Sequence, residues 1–329
     1  MRSLIPGLAL VAVLAFLATA VGRVLPVVGA PVLGLGGGAI ATAFGGAALR
    51  AGGRFAPGLA FARQRLLQTA IVLLGLGLPM GTVLSVGRRS AAVLLGTLVI
   101  GAVTAFAVGR LLALDRDSAT LVAVGTTICG ASAIAAATAV LRPRRETVGY
   151  ALATIFVFNV VAVLAFPPIG RLLGMSDQAF GLWAGTAIND TSSVLAAGVV
   201  FGTAAAHFAV TVKLVRSLMI VPMCVGLHWA QRRTRPPARS ALRGIVPAFV
   251  LLFLAASAVA ATGVIPHDWL AAVTAAGAWL IVAALVGIGA ELTWDQVRNA
   301  GTRPLVFGGI LSVTLATGSL ALQSVTGWH

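Results

Sequence analysis

The chain has 329 residues, 59% of them hydrophobic and only 9% charged. A soluble protein of this length carries about a quarter charged residues, so the composition excludes a soluble domain of useful size and points to an all-α polytopic membrane protein. The net charge of +15 comes from 23 Lys and Arg against 8 Asp and Glu. The arginines sit in short stretches between apolar runs, as the positive-inside rule requires, and that placement argues against a nucleic-acid partner.

Apolar runs long enough to cross a bilayer of roughly 30 Å are predicted at 4–22, 31–49, 66–86, 90–112, 118–141, 147–166, 176–203, 207–229, 244–263, 268–290 and 304–326. The first follows Arg2 and ends near Ala18-Thr19-Ala20, which resembles a signal-peptidase site. Because the chain continues as further spans, 4–22 is read as a retained, signal-anchor-like helix. The basic loops are 50–65 (Arg50, Arg54, Arg63, Arg65), 142–146 (Arg142, Arg144, Arg145) and 231–243 (Arg232, Arg233, Arg235, Arg239, Arg243). The whole of 1–329 is read as one integral membrane domain.

If these loops are all cytoplasmic, an even number of crossings must separate each pair. Three apolar segments lie between consecutive loops, so one of each three fails to cross. The odd ones out are 118–141 and 176–203. Read as re-entrant hairpins, they leave nine crossings, an inside N-terminus and an outside C-terminus. The hairpins then enter from opposite faces, and Arg88-Arg89 falls outside. Eleven crossings with two broken helices is the competing arrangement.

The same two segments share a motif. Residues 125–137 read GTTICGASAIAAA and residues 185–197 read GTAINDTSSVLAA. Both follow Gly-Thr-x-Ile-x-x-x-Ser-x-(Ile/Val)-x-Ala-Ala. Small and hydroxylated residues suit a helix that breaks in mid-membrane and turns backbone N–H groups toward a ligand. Two such breaks mark a secondary transporter with inverted repeats. A weaker echo pairs Leu74–Gly77 with Val286–Gly289, on helices expected to run in opposite directions.

Asp190 is an ionisable group inside an apolar run, which is costly. It reads either as a coupling site for a proton or sodium ion or as the N-cap of the helix beyond the break, followed as it is by Thr191, Ser192 and Ser193. Lys213 and Arg216 are three apart, on one helix face, and are expected to bind an anion or pair with Asp190. If the helix began later, Lys213 would instead snorkel to the interface. Thr126, Thr127, Ser132, Thr186, Asn189, Ser192 and Ser193 are the candidate substrate contacts, although Ser and Thr also glue membrane helices together. Cys129 is read as a small residue in a tight break, and Asn159 as packing glue able to reach broken backbone. Glu291 and Asp295 are read as solvated. Trp183, Trp229, Trp269 and Trp294 are expected to anchor segment ends at the interface.

These residues resemble the YeiH-like bacterial membrane proteins, a family described as sulfate exporters. The likeness rests on Phe61-Ala62-Arg63-Gln64, Thr127–Ser132, Gly185–Asp190 with Ala196-Ala197-Gly198, Lys213-x-x-Arg216, Gly287-Ile288-Gly289 and Ala300–Leu305. It covers about residues 5–325 colinearly. The resemblance implies transport of a small anion, sulfate or a related sulfur oxyanion or sulfonate, across the bacterial cytoplasmic membrane.

Two cysteines without a Cys-x-x-Cys and four scattered His residues suggest no disulfide framework, metal site or cofactor. No phosphate-binding Gly-x-x-x-x-Gly-Lys-(Ser/Thr) occurs. An intramembrane enzyme would need His-Glu-x-x-His or a Ser–His pair in the motif segments, so the chain is not read as an enzyme. A passive channel is the third reading. The expected partners are a small anion, a coupling proton or sodium ion and the lipid bilayer, with further copies of the chain left open.

Overall fold

The computed structural model describes residues 4–24, 30–45, 49, 53–231, 248–264, 266–290 and 302–328, and these are helical with no strand among them. Among the described residues, seven stretches are long and apolar enough to cross a membrane, and three shorter apolar helices accompany them. The loop 231–243 lies almost wholly outside the described residues, as do Glu291, Asp295 and Trp294.

The chain divides into two compact units, 1–84 with 249–294 and 85–248 with 295–329. The first contains α1 (Ile5–Val24), α2 (Ala30–Phe44), α3 (Ala56–Phe61), a π-turn at 62–66, α4 (Leu67–Leu76), α13 (Ala248–Ala261) and α14 (His267–Gly289). Its helices approach closely through glycine. A Cβ on Gly38 would stand 2.0 Å from the Val286 carbonyl oxygen, and one on Gly289 only 1.9 Å from that of Leu35. Apolar side chains cannot be driven together by water inside lipid, so this backbone contact is what holds α2 to α14. Gly287 meets Leu59 and Arg63 while Gly277 meets Leu73. The α3–α4 rod is therefore antiparallel to α14, as the second echo required.

Several sequence boundaries need correction. The third span is Ala56–Leu76 rather than 66–86, so Arg63 and Arg65 of the expected loop 50–65 are helical. Arg88 and Arg89 sit inside one continuous helix, α5 (Met80–Leu111), and not in a loop. Their guanidinium-bearing chains tolerate this because α5, at about 48 Å, overreaches a hydrocarbon core of about 30 Å. Arg89 lies over the Trp328 ring at 5.2 Å.

The second unit carries both motifs. After α5 come α6 (Arg116–Val124), a π-turn at 125–129, α7 (Ala131–Leu141), α8 (Arg145–Leu172), α9 (Asp177–Ala187), α10 (Thr191–Phe201), α11 (Thr203–Ser217), α12 (Ile220–Gln231) and α15 (Thr302–Thr326). Asp115 caps α6 through the Ser118 N–H at 2.9 Å, and Ser176 caps α9 through the Ala179 N–H at 3.3 Å. Each limb α7, α9 and α10 has 11 residues, hence about 16 Å, half the core thickness.

Contacts across these limbs show that both motif segments are re-entrant hairpins. In the second, Phe180 near the start of α9 stacks on Phe201 at the end of α10, with centroids 3.9 Å apart. A Cβ on Gly202 would lie 2.9 Å from Asp177. In the first, a Cβ on Gly125 would meet Ile134 at 2.9 Å across the break, and Leu121, Ala137 and Leu141 share one core.

α15 serves as a ruler for both. Passing along it, Phe307 adjoins Gly109 at the foot of the first hairpin, and Leu315 adjoins Gly101 beside Thr127 near its tip. Beyond it, Thr186 near the second tip reaches Ser319 at 2.7 Å, the Trp183 indole N–H reaches back to the Ala316 carbonyl at 3.0 Å, and Phe208, early in α11 past the foot of that hairpin, meets Trp328 with ring centroids 5.7 Å apart. The hairpins therefore enter from opposite ends and meet midway. The first enters from the end bearing Arg110, Arg116, Arg142, Arg144 and Arg303, which the positive-inside rule places in the cytoplasm. Trp183 is buried in the core of the second hairpin, stacked on Phe166, so it anchors no interface. Trp229 and Trp269 are exposed.

Candidate functional site

The two hairpin tips touch. Gly130 has φ +66° and ψ −132°, a conformation that only glycine adopts without strain. A Cβ there would stand 2.7 Å from the Cβ of Asp190. The second tip runs extended through Ile188 (φ −77°, ψ 139°) to Asp190 (φ −109°, ψ 162°). Helices α7 and α10 both begin at this meeting point, so two sets of N-terminal N–H groups converge at mid-depth.

The two N-termini are furnished differently. At α10, Asp190 is the N-cap. Its carboxylate accepts from the Ser193 N–H at 2.7 Å, the Ser192 hydroxyl at 2.5 Å and the Ser193 hydroxyl at 3.1 Å. Asn159, near the middle of α8, donates its side-chain amide to the same carboxylate. At α7 the N-cap is Gly130, which has no side chain to offer. The first intrahelical bond there runs from the Ile134 N–H to the Gly130 carbonyl at 3.2 Å.

Lys213 and Arg216 project from α11 and are essentially fully buried, at 0% and 1% exposure. Lys213 is therefore no snorkelling residue. Its ammonium donates to the Ile188 carbonyl at 2.6 Å, one of the acceptors left open at the C-terminal end of α9. Arg216 is different: Nε, Nη1 and Nη2 all lack a hydrogen-bond partner among the described residues. An uncompensated buried guanidinium is costly enough to need an explanation, and an anion of the right size is one. The Asn189 carbonyl oxygen is likewise buried and unpartnered. The Cys129 thiol lies beside the Ser217 hydroxyl and the Ala133 N–H, within electrostatic reach of both cations.

The threonines are placed as helix glue. Thr126 donates to the Val122 carbonyl at 2.8 Å and Thr127 to that of Ala123 at 2.7 Å. Thr186 reaches the Leu182 carbonyl at 2.6 Å and Ser319 on α15. A hydroxyl bonded back to its own helix has given away its only proton. Ser132 is half-buried in the first turn of α7. The meeting point thus brings together Asn189, Asp190, Ser192, Ser193, Lys213 and Arg216, with Ser132 two residues beyond Gly130, while Thr126, Thr127 and Thr186 brace the hairpins behind it.

The sequence reading missed the polar face of α15. Ser319 is fully buried against Thr186, and Gln323, also buried, lies one turn further on beside Ser319. Their signal was present: Ser312, Ser319 and Gln323 recur at helical spacing in an otherwise apolar span.

Residues 6–308 match a family described as "Conserved hypothetical protein 698". The chain is similar to a UPF0324 membrane protein of Clostridium tetani, 35% identical over 285 residues, which are 82% of this chain and 83% of that one. A UPF0324 membrane protein of Streptococcus pyogenes serotype M3 is 34% identical over 98% of this chain and 97% of its own length. Another, from Streptococcus agalactiae serotype V, is 34% identical over 98% of both. With two opposed hairpins in an all-helical frame and near full-length likeness to bacterial membrane proteins, the chain belongs to the UPF0324 membrane protein family.

Proposed function

We propose that this protein is a secondary transporter of a small oxyanion of the sulfate and sulfonate class, working across the bacterial cytoplasmic membrane. The observation that carries the reading is Arg216, whose guanidinium is buried with all three nitrogens unpaired beside two opposed helix breaks. Such a group stabilises an anion through charge-assisted bonds that water does not weaken. Hairpins entering from opposite faces leave only their own short limbs between a central site and each aqueous side, which suits alternating access.

Coupling is part of the proposal. Asp190 organises its tip by accepting from Ser192, Ser193 and Asn159. A proton or sodium ion bound there would compete with those donors and so link ion occupancy to the shape of the break.

The test is flux in proteoliposomes. Saturable, counter-ion-dependent uptake of sulfate or a simple sulfonate, lost in Arg216→Gln, is the expected result. Non-saturating conductance would favour a channel, and no flux of any small anion would defeat the reading.

A further inference from the structure

The two breaks share a motif, and superposing Gly125–Ser132 on Gly185–Ser192 sets Gly130 opposite Asp190. Asp190 is the carboxylate that fills the N-terminus of α10. At the equivalent point of α7 there is no side chain. The chain therefore displays, in its second hairpin, a carboxylate bound to a helix N-terminus, and in its first hairpin an N-terminus whose cap, Gly130, carries no side chain and abuts Asp190.

Charge bookkeeping sharpens this. Lys213 is engaged with the Ile188 carbonyl, at the negative end of the α9 dipole. Asp190 is engaged with the positive end of α10. Each of these charges is answered within the second hairpin. Arg216 alone among the three has no hydrogen-bond partner among the described residues, and α11 packs its 213–217 face against the first break, where Ser217 meets Cys129.

We infer that the anion binds at the N-terminus of α7, between Ser132 and Arg216, and that it presents there a single-charged oxyanion group, a carboxylate or a sulfonate, to first-turn donors, as the Asp190 carboxylate does at α10. The inference rests on the transporter reading and narrows it. By the same correspondence, the Ser132 hydroxyl takes the role that Ser192 plays toward Asp190, and the Ala133 N–H takes that of the Ser193 N–H. The Ala133 N–H lies by the Cys129 sulfur, a weak acceptor that an anionic oxygen displaces. Arg216 supplies the charge. One unpaired cation answers one negative charge, and a dianion would leave a buried charge uncompensated. Lys213 is then a positioning residue that holds the second tip in place, not a ligand of the substrate.

The experiment uses the full-length protein in detergent, titrated calorimetrically with sodium methanesulfonate, sodium acetate and sodium sulfate at neutral pH and constant ionic strength. The wild-type ranking needs no variant, and both monoanions should bind more tightly than sulfate. Ser132→Asp places a tethered carboxylate at the α7 N-terminus beside Arg216 and should weaken methanesulfonate at least about tenfold, as should Arg216→Gln, since each removes a charge-assisted bond. Ser132→Asn, which keeps a donor, should lose less affinity than Ser132→Asp, and Trp183→Phe, away from the site, should stay within about threefold of wild type, a shift below one such bond. Tighter binding of sulfate, or wild-type affinity in Ser132→Asp, overturns the inference and leaves the transporter reading standing. No binding of any of the three anions by the wild type removes both.

Discussion

Replacing Asp190 separates its role as a cap from its role as a charge. The carboxylate accepts four hydrogen bonds, two on each oxygen. Asp190→Asn keeps the oxygen facing the Ser193 N–H and the Ser192 hydroxyl, but turns those bonds from charge-assisted into neutral ones. Charge-assisted bonds are worth about 1.5–3 kcal/mol and neutral ones about 0.5–1.5, so two retained bonds lose roughly 2 kcal/mol together. The other oxygen becomes an amide that faces the Asn159 amide. Asn159 can answer by rotating its own unpartnered carbonyl oxygen toward it, so this side costs little more. Asp190→Ala removes the cap as well, adding about 1 kcal/mol and leaving the Asn159 donor orphaned at about 1–3 kcal/mol. Thermal unfolding in detergent should therefore rank wild type above Asn and Asn above Ala. In proteoliposomes, Asp190→Asn should retain counterflow exchange of the anion while losing accumulation driven by a proton or sodium gradient. Equal gradient-driven flux in wild type and Asp190→Asn would refute the coupling role, and equal stability of the Asn and Ala variants would refute the capping argument.

Gly130→Ala forces a Cβ to 2.7 Å from that of Asp190 at φ +66°, and should cost at least about 1–3 kcal/mol from strain alone, read as loss of monodisperse protein or a lowered unfolding temperature. In a background lacking Cys129 and Cys224, Arg116→Cys and Arg144→Cys should react with an impermeant thiol reagent from the same side, and Leu173→Cys from the other. Labelling of positions 116 and 144 from opposite sides would mean that the first motif segment crosses the membrane. Trp183→Phe preserves the stack on Phe166 but removes the bond to the Ala316 carbonyl, and should lower stability by about 0.5–1.5 kcal/mol without changing anion affinity.

Much of the site is legible in the amino-acid sequence alone. The paired Gly-Thr motifs announce two breaks, because small and hydroxylated residues are a local choice that lipid exposure alone does not make. With the basic loops cytoplasmic, loop charge and crossing parity favour a hairpin at each motif over a crossing broken helix, and the contacts of Phe180 with Phe201 and of Gly125 with Ile134 show a hairpin at each. Asp190 and Arg216 stand out simply by being ionisable in apolar runs.

What stays hidden depends on partners far away in the chain. Whether Arg88 and Arg89 lie in a loop or inside a long helix depends on where α5 stops, and charge alone does not decide that. Whether Trp183 anchors an interface or fills a core is set by Phe166 and Ala316, distant residues brought to it by folding. The same holds for the division between Lys213 and Arg216. They share a helix face in sequence, but only one of them meets the Ile188 carbonyl, because the second tip lies beside Lys213 and not beside its neighbour one turn on. Composition and periodicity determine that cations are buried here. The meeting of two hairpin tips decides which of them is left without a hydrogen-bond partner among the described residues, since a hydrogen bond is made by positions in space and not by spacing along the chain.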